Sequence, residues 1–176
     1  MREWVPVSTS PKGRLALAAV REFGSRAFED VTVGELAAAA DVTTGALYHH
    51  FRSKLGLYLF VRRDVERRLL DRMEGAAAGA GADSLSTALV VGFDFAVRQS
   101  FVRLLSDRPP NHEDDPLSEL LARLSHPVPE PIGRVLASAW RAALSSVAEG
   151  ASVEYARQAL LALNVRLDAQ QEGSSS

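Results

Sequence analysis

Apolar positions in the first third of the chain recur with a helical period. In KGRLALAAVREFG (12–24), Leu15, Ala19 and Phe23 stand at i, i+4 and i+8, and a glycine follows as a C-terminal stop. The next segment, TVGELAAAA, begins with Thr32 and carries Glu35 three positions later, which is the spacing of a capping box. These patterns predict one helix over 12–24 and a second, shorter helix that ends at residue 41.

The segment DVTTGALYHHF (41–51) predicts a third helix of about seven residues. Thr43 or Thr44 can cap its start, and Leu47 and Phe51, four positions apart, form a narrow apolar stripe. The turn before it needs a residue that tolerates a left-handed backbone, and Asp41 is one of the few types other than glycine that do so. The second and third helices therefore predict a helix-turn-helix arrangement.

A longer helix is predicted from Ser53 onward. We expect its buried side to hold a stripe of apolar residues and its arginines to lie outside. The apolar stripe is Leu55, Tyr58, Leu59, Val65, Leu69 and Met73, and the arginines are Arg62, Arg63, Arg67 and Arg68.

The remainder of the chain predicts further helices between joints rich in glycine, alanine and proline. EGAAAGAGADS (74–84) marks such a joint, and helices are expected over 84–105, from Pro116, over 131–147 and over 152–168. We therefore predict an all-α protein of about nine helices. Its expected parts are an N-terminal three-helix helix-turn-helix domain at 1–52, a C-terminal helical bundle at 53–170 and a disordered tail at 171–176.

Composition and charge narrow the class of protein. The chain of 176 residues has no cysteine, which excludes a disulfide framework and a cysteine metal site. The N-terminus lacks the apolar run of a secretory signal, and no run of about 18 apolar residues predicts a membrane span. A soluble, cytoplasmic protein with no membrane partner is expected.

The net charge of −2 is unevenly distributed along the chain. Residues 1–73 carry 12 lysines and arginines against 9 acidic residues, whereas residues 74–176 carry 8 against 13. This asymmetry favours a polyanionic partner for the N-terminal part. Solvated helix faces would produce the same asymmetry.

The chain lacks the motifs of the common enzyme classes. Its four histidines do not form a metal spacing, since His49 and His50 are adjacent and would point about 100° apart on a helix. No P-loop, dinucleotide fingerprint or nucleophile elbow is present. We therefore expect no catalytic residue, no metal, no cofactor and no enzymatic activity.

The outward residues of the third helix suit the major groove of DNA. Thr44 can hydrogen-bond to bases, and the small Gly45 and Ala46 allow a close approach to base edges. Tyr48 and His50 can donate to phosphate oxygens. An ordinary helical hairpin, whose tyrosine and histidines pack on neighbours, is the alternative.

The stretch TVGELAAAADVTTGALYHHFRSKLGL resembles the DNA-binding motif of the TetR family of transcriptional repressors, within residues 12–60. It departs from the family pattern at Asp41, at Ala46 and in SKLGL. The resemblance implies phosphate contacts from the arm and caps, and base or groove contacts from the third helix. The first group is Thr32, Tyr48, His50 and Lys54, with Lys12 and Arg14 as additions; the second is Thr44, Gly45, Ala46 and His49. Thr43 is a further expected DNA-binding residue.

The resemblance also implies a homodimer that binds a palindromic operator in double-stranded DNA and is released by an unknown small-molecule effector. The expected effector-binding residues are Phe93, Val97, Arg98, Phe101, Leu121 and Trp140, and an inward Arg98 would favour an anionic effector. The expected dimer interface is Ala137, Trp140, Leu144, Ala156, Ala159, Leu160 and Leu163. Two alternatives stay open: these stripes pack on the chain's own core, or the protein is a helical scaffold of the same fold that does not bind DNA.

Overall fold

A computed structural model describes residues 9–107 and 115–172, with side chains through residue 163. The chain forms two compact units, one ending at Glu66 and the other beginning at Arg67. This division falls within a continuous helix, whereas the sequence places a domain boundary at residue 52. The functions assigned to the two predicted domains stay predictions.

The first unit contains α1 (Pro11–Ser25), α2 (Val33–Ala39), α3 (Thr44–Phe51) and the first part of α4 (Lys54–Ala78). Its core is aliphatic at the centre, where Leu15, Leu36 and Leu47 are fully buried. Phe23, Phe28 and Tyr58 form an aromatic cluster beside it, with ring centroids 5.1–5.8 Å apart. Helices this short are not stable alone, so the packing of α1, α2 and α3 against one another stabilises α2 and α3.

The buried face of α4 differs in part from the predicted one. Leu55 is 48% exposed, and Arg62, predicted to lie outside, is only 2% exposed. Leu57 and Val61 are buried instead, because they share one face of the helix with Val65 and Leu69. The Arg62 guanidinium donates from Nη1 to the hydroxyl of Tyr58 at 3.1 Å, which is one turn away.

The second unit continues α4 and adds a 3-10 helix (Gly81–Asp83), α5 (Ser84–Arg98), α6 (Val102–Ser106), α7 (Pro116–Leu124), α8 (Ile132–Ala148) and α9 (Val153–Glu172). The central helix is α8, which packs against α5, α6, α7 and α9. Its fully buried Trp140 donates from Nε1 to the carbonyl of Leu89 at 3.1 Å. Across the described ranges the chain has nine α-helices and no strand, which confirms the all-α prediction.

Two predicted boundaries in this unit are wrong. The helix expected over 84–105 is two helices, because Ser100 adopts a left-handed backbone with φ of 58°. The amide of Phe101 then donates to the carbonyl of Ala96 at 2.8 Å and closes the turn between α5 and α6. The last helix extends to Glu172, so the first two residues of the predicted tail are helical; residues 173–176 lie outside the described part of the chain.

Within the described residues, every helix is too short or too polar to cross a bilayer.

A buried ion pair joins the start of α7 to the middle of α8. Asp115 caps α7 and accepts two hydrogen bonds of 2.7 Å from Arg141, whose side chain is 5% exposed. Burial raises the pKa of Asp115, but hydrogen bonds from Arg141 and Ser118 outweigh it and lower the pKa to about 2. The pair therefore stabilises the fold whenever the carboxylate is ionised.

We predict that Asp115→Asn lowers the free energy of unfolding by about 3 kcal/mol at neutral pH, because it leaves the buried Arg141 charge without its partner. Denaturant titration measures the change. The loss should shrink as the pH falls from the ordinary carboxyl value of 3.8 through about 2, where wild-type Asp115 also becomes neutral.

The matched control is Glu74→Gln, which breaks the exposed pair between Glu74 and Arg123. It should cost less than about 1 kcal/mol. Equal losses from the two substitutions would contradict a stabilising role for the buried pair.

Candidate nucleic-acid interface

The helix-turn-helix pair begins at Thr32, where the predicted capping box is present. Thr32 Oγ1 accepts from the amide of Glu35 at 3.2 Å, and Glu35 Oε2 accepts from both the amide and the hydroxyl of Thr32 at 2.7 Å. The Thr32 hydroxyl and amide, followed by Arg26, lower the pKa of Glu35 to about 2. Both donors of Thr32 are thus engaged by a carboxylate, so a phosphate bound there would have to displace Glu35.

The turn between α2 and α3 has the expected left-handed residue. Asp41 has φ of 51°, and the next amide, that of Val42, donates to the carbonyl of Ala37 at 3.0 Å. Arg14 holds this turn from α1: its Nε donates to the carbonyl of Ala40 at 2.9 Å, and its Nη2 to the carbonyl of Asp41 at 3.1 Å. Arg14 was expected to contact the DNA backbone, and in this structure its guanidinium is engaged by the protein turn.

Two apolar side chains anchor α3. Leu47 is fully buried and Phe51 is 7% exposed, while the hydroxyl of Thr43 accepts from the amide of Ala46 at 3.2 Å and caps the first turn. Burial of each large apolar side chain contributes about 1.5–3 kcal/mol. The predicted cap and anchors of this helix are therefore confirmed.

The remaining side chains of α3 form one solvent-facing surface, which we call the α3 face. Tyr48 is 52% exposed on it, and Ala46 is half-buried at its edge. The other exposed members are Thr43, Thr44, Gly45, His49 and His50. The structure thus brings together all seven of the predicted DNA-binding residues that belong to this helix and its cap.

Packing within the protein does not require a glycine at position 45. A Cβ atom added at this position would meet only the Thr43 Oγ1 atom, at 3.6 Å, which is an ordinary contact. The backbone at Gly45 therefore presents an open approach to a ligand.

Lys54 lies apart from the α3 face, although it was predicted to bind phosphate. Its ammonium donates to the carbonyls of Phe28 at 2.8 Å and Val31 at 2.9 Å, and it lies 4.1 Å from the centroid of the Phe28 ring. Two of its three N–H donors are therefore used inside the protein. The ammonium is turned toward the segment before α2, and its predicted contact with phosphate stays a prediction.

Two further cations lie next to helix ends in this unit, one after α3 and one in the first turn of α1. Arg52, to which the sequence analysis assigns no role, follows α3 directly with φ of 69° and an exposed side chain. Its place after Phe51 is the only sequence signal that could have identified it. Lys12 belongs to the first turn of α1, rather than to an arm, and its ammonium lies 5.0 Å from the centroid of the Phe60 ring.

The predicted effector-binding residues differ in their exposure. Phe93, Leu121 and Trp140 are fully buried in a packed core, and Phe101 is nearly so. Val97 is half-buried, and Arg98 is exposed at a cleft of about 230 Å³ in the second unit. That cleft is lined by Arg72, Val91, Asp94, Phe95, Arg98 and Gln99. Most of the predicted set is therefore buried, and its contact with an effector stays a prediction.

The predicted dimer residues also divide into two groups. Ala137, Trp140 and Leu144 are fully buried within the chain's own core, so they are not available to a partner. A second stripe of small residues on α8 lies beside α9 and forms with it a groove of about 470 Å³. The groove is lined by Ala139, Ala142, Ala143, Ser146, Ala151, Ala156, Ala159, Leu160 and Leu163.

The described residues contain no group of three or more histidine, aspartate or glutamate side chains that could hold a metal ion.

Residues 16–61 match the family model described as bacterial regulatory proteins of the tetR family. The fold is similar to a TetR-family transcriptional regulator from Pectobacterium atrosepticum, at 23% identity and a TM-score of 0.61, over 89% of this chain and 91% of that one. It is also similar to a TetR transcriptional regulator from Rhodococcus sp. RHA1, at 21% identity and a TM-score of 0.56, over 90% of this chain and 95% of that one. The fold is also similar to that of NalD, the secondary repressor of the MexAB-OprM multidrug efflux pump in Pseudomonas aeruginosa. The identity is 18% and the TM-score 0.56, over 90% of this chain and 96% of that one.

The left-handed backbone of Asp41 costs less free energy for glycine than for other residues. Asp41→Gly should raise the free energy of unfolding by about 0.5–1 kcal/mol, because glycine adopts positive φ without steric cost. Asp41→Val should lower it, since a β-branched residue is strained there. Arg14 binds the backbone carbonyl of residue 41, so its contact is kept in both variants. Thermal unfolding of the pair measures the difference, and the opposite order of stability would contradict the assigned strain.

Proposed function

We propose that this chain is a ligand-responsive repressor that binds a palindromic DNA operator as a homodimer, because its residues 16–61 match the model of bacterial regulatory proteins of the tetR family. The observation that carries the proposal is the α3 face: a short, anchored helix whose remaining surface is small, polar and open to solvent. The match to this family model agrees with the prediction that the protein is a transcription regulator and not an enzyme.

The chemistry of the α3 face suits the major groove. Thr44 lies in the first turn, where its hydroxyl can donate to or accept from bases, and the open backbone at Gly45 permits approach to base edges. Tyr48, His49 and His50 extend further along the helix and supply hydrogen bonds to phosphate oxygens or bases. Ala46, half-buried at the edge, offers a methyl group to a thymine.

Exposed cations of the first unit also favour DNA as the partner, although two cations that the sequence assigns to phosphate are engaged within the protein. Arg14 and Lys54 are engaged with protein carbonyls. Among the exposed cations of the unit, Lys12 lies at the start of α1 and Arg52 directly after α3. Phosphate contacts would then come from these two side chains, from hydroxyl and imidazole groups, and from the amides at helix N-termini. Binding through few cations predicts a moderate dependence on salt.

A dimer is needed because one short helix supplies little affinity or specificity. Two recognition helices about 34 Å apart would read the half-sites of a palindrome. The groove between α8 and α9 is the surface that we assign to the dimer, since its alanines allow helices from a second copy to approach closely. Of the predicted interface residues, Ala156, Ala159, Leu160 and Leu163 line this groove.

The effector part of the proposal rests on the cleft beside Arg98. Arg72 and Arg98 both line it, so its chemistry favours a small anionic molecule. NalD is described as a repressor, and by analogy we propose repression, with release by the effector, as the direction of control.

The function is tested with Gly45→Ala. DNA fragments selected from a random pool should include a palindrome that the wild-type protein binds, with log K falling linearly against log salt. Gly45→Ala should keep or raise thermal stability, because alanine favours helix, and should lower affinity at least about tenfold, because the added methyl group meets base edges.

The matched control is Gly75→Ala, which makes the same change on α4 where an added Cβ meets nothing within 4 Å. It should leave DNA affinity unchanged. If the wild-type protein selects no sequence and shows no salt-dependent binding, the helical scaffold is the better description.

The dimer is tested with Ala159→Arg. A charged side chain in the α8–α9 groove should convert dimers to monomers, as measured by light scattering, and should weaken binding to the full palindrome more than to a half-site. Gln158→Arg places the same charge on the exposed neighbouring position of α9, outside the groove, and should leave the dimer intact. A dimer that survives Ala159→Arg would contradict the assigned surface.

A further inference from the structure

The first turn of α4 contacts the segment that precedes α2. Lys54 binds the carbonyls of Phe28 and Val31, while its ammonium rests on the Phe28 ring. Phe28 is itself held in the aromatic cluster with Phe23 and Tyr58. Charge-assisted hydrogen bonds of this kind are stronger than neutral ones, so the segment 28–31 is fixed to α4.

Segment 28–31 determines where α2 begins. Val31 is fully buried and is followed directly by Thr32, the cap of α2. The amides of Glu35 and Leu36 in the first turn of α2 donate to the side chain and the carbonyl of Thr32. A shift of segment 28–31 would therefore move the first turn of α2.

The same turn of α4 also meets the end of α3. A Cβ atom added at Gly56 would lie 2.1 Å from the carbonyl oxygen of Phe51, so only glycine permits this approach. Ser53 Oγ accepts from the amide of Gly56 at 2.9 Å and caps the turn. The start of α4 is thus in contact with the beginning of α2 through Lys54 and with the end of α3 through Gly56.

We infer that Lys54 is a positioning residue for the recognition helix: it fixes the start of α2 to the first turn of α4, and so holds the helix-turn-helix pair to that helix, without contacting DNA. The expected effect on DNA affinity rests on the proposed DNA-binding function. The contacts of Lys54 with the carbonyls of Phe28 and Val31, which we call the clamp, are present in the free protein.

The test compares Lys54→Met with Arg134→Met in the full chain. Both substitutions remove one positive charge, and Arg134 is exposed on α8 in the second unit. Two quantities are measured: affinity for the selected palindrome over a range of salt, and hydrogen exchange of the Glu35 and Leu36 amides in the free protein. Amides of α8 serve as the internal reference.

For Lys54→Met we expect affinity to fall about tenfold with an unchanged salt slope, and exchange at Glu35 and Leu36 to quicken about tenfold. Arg134→Met should change neither quantity. A salt slope reduced by about 0.9 would overturn the inference, because that is the loss of one phosphate contact. Affinity and exchange equal to those of Arg134→Met would also overturn it, since the clamp would then hold nothing in place.

Phe28→Leu is the second variant, for use if Lys54→Met does not fold. It removes the ring beneath the ammonium but keeps both carbonyls, and it should quicken the same two amides by a smaller factor with an unchanged salt slope. Unchanged exchange at these amides in a folded Phe28→Leu protein would count against the clamp. If the wild-type protein binds no DNA, the proposed function fails, and the exchange of these amides still decides the role of Lys54.

Discussion

The structure of the first unit depends on the burial of two side chains, Leu47 and Phe51, from a helix of only eight residues. Such a helix has no independent stability, because its few internal hydrogen bonds do not offset the cost of nucleation. Tertiary burial of one narrow stripe must therefore hold it, and a narrow stripe leaves the rest of the helix open to solvent. The anchor and the exposed α3 face are two consequences of the same constraint.

Internal polar contacts complete the support of this helix. Arg14 satisfies carbonyls at the turn, Glu35 engages the donors of Thr32, and Lys54 engages carbonyls before α2. Each of these residues is charged, yet each acts on the backbone of its own unit. The proposed interface is consequently richer in hydroxyl, imidazole and amide groups than in cations, which favours recognition by hydrogen bonds over attraction by charge alone.

Local features of this fold could be predicted from the sequence, because their causes lie within a few residues. The capping box at Thr32, the left-handed Asp41 and the cap at Thr43 are of this kind. The partners of Lys54 lie 23 and 26 positions away, and nothing in the local pattern indicates them. A stripe such as that of Ala137 and Trp140 predicts burial but not the surface against which it is buried, so core was mistaken for interface. The roles of the α3 residues toward DNA stay predictions.

In the proposed complex, the α3 face lies against DNA and is shielded from solvent. Hydroxyl-radical footprinting of the protein, with and without the selected palindrome, measures this directly by mass spectrometry. Labelling of Tyr48, His49 and His50 should fall strongly when DNA is added, while labelling of Tyr155, which is 73% exposed on α9, should not change. Equal labelling of Tyr48 in the free and DNA-bound protein would contradict the account.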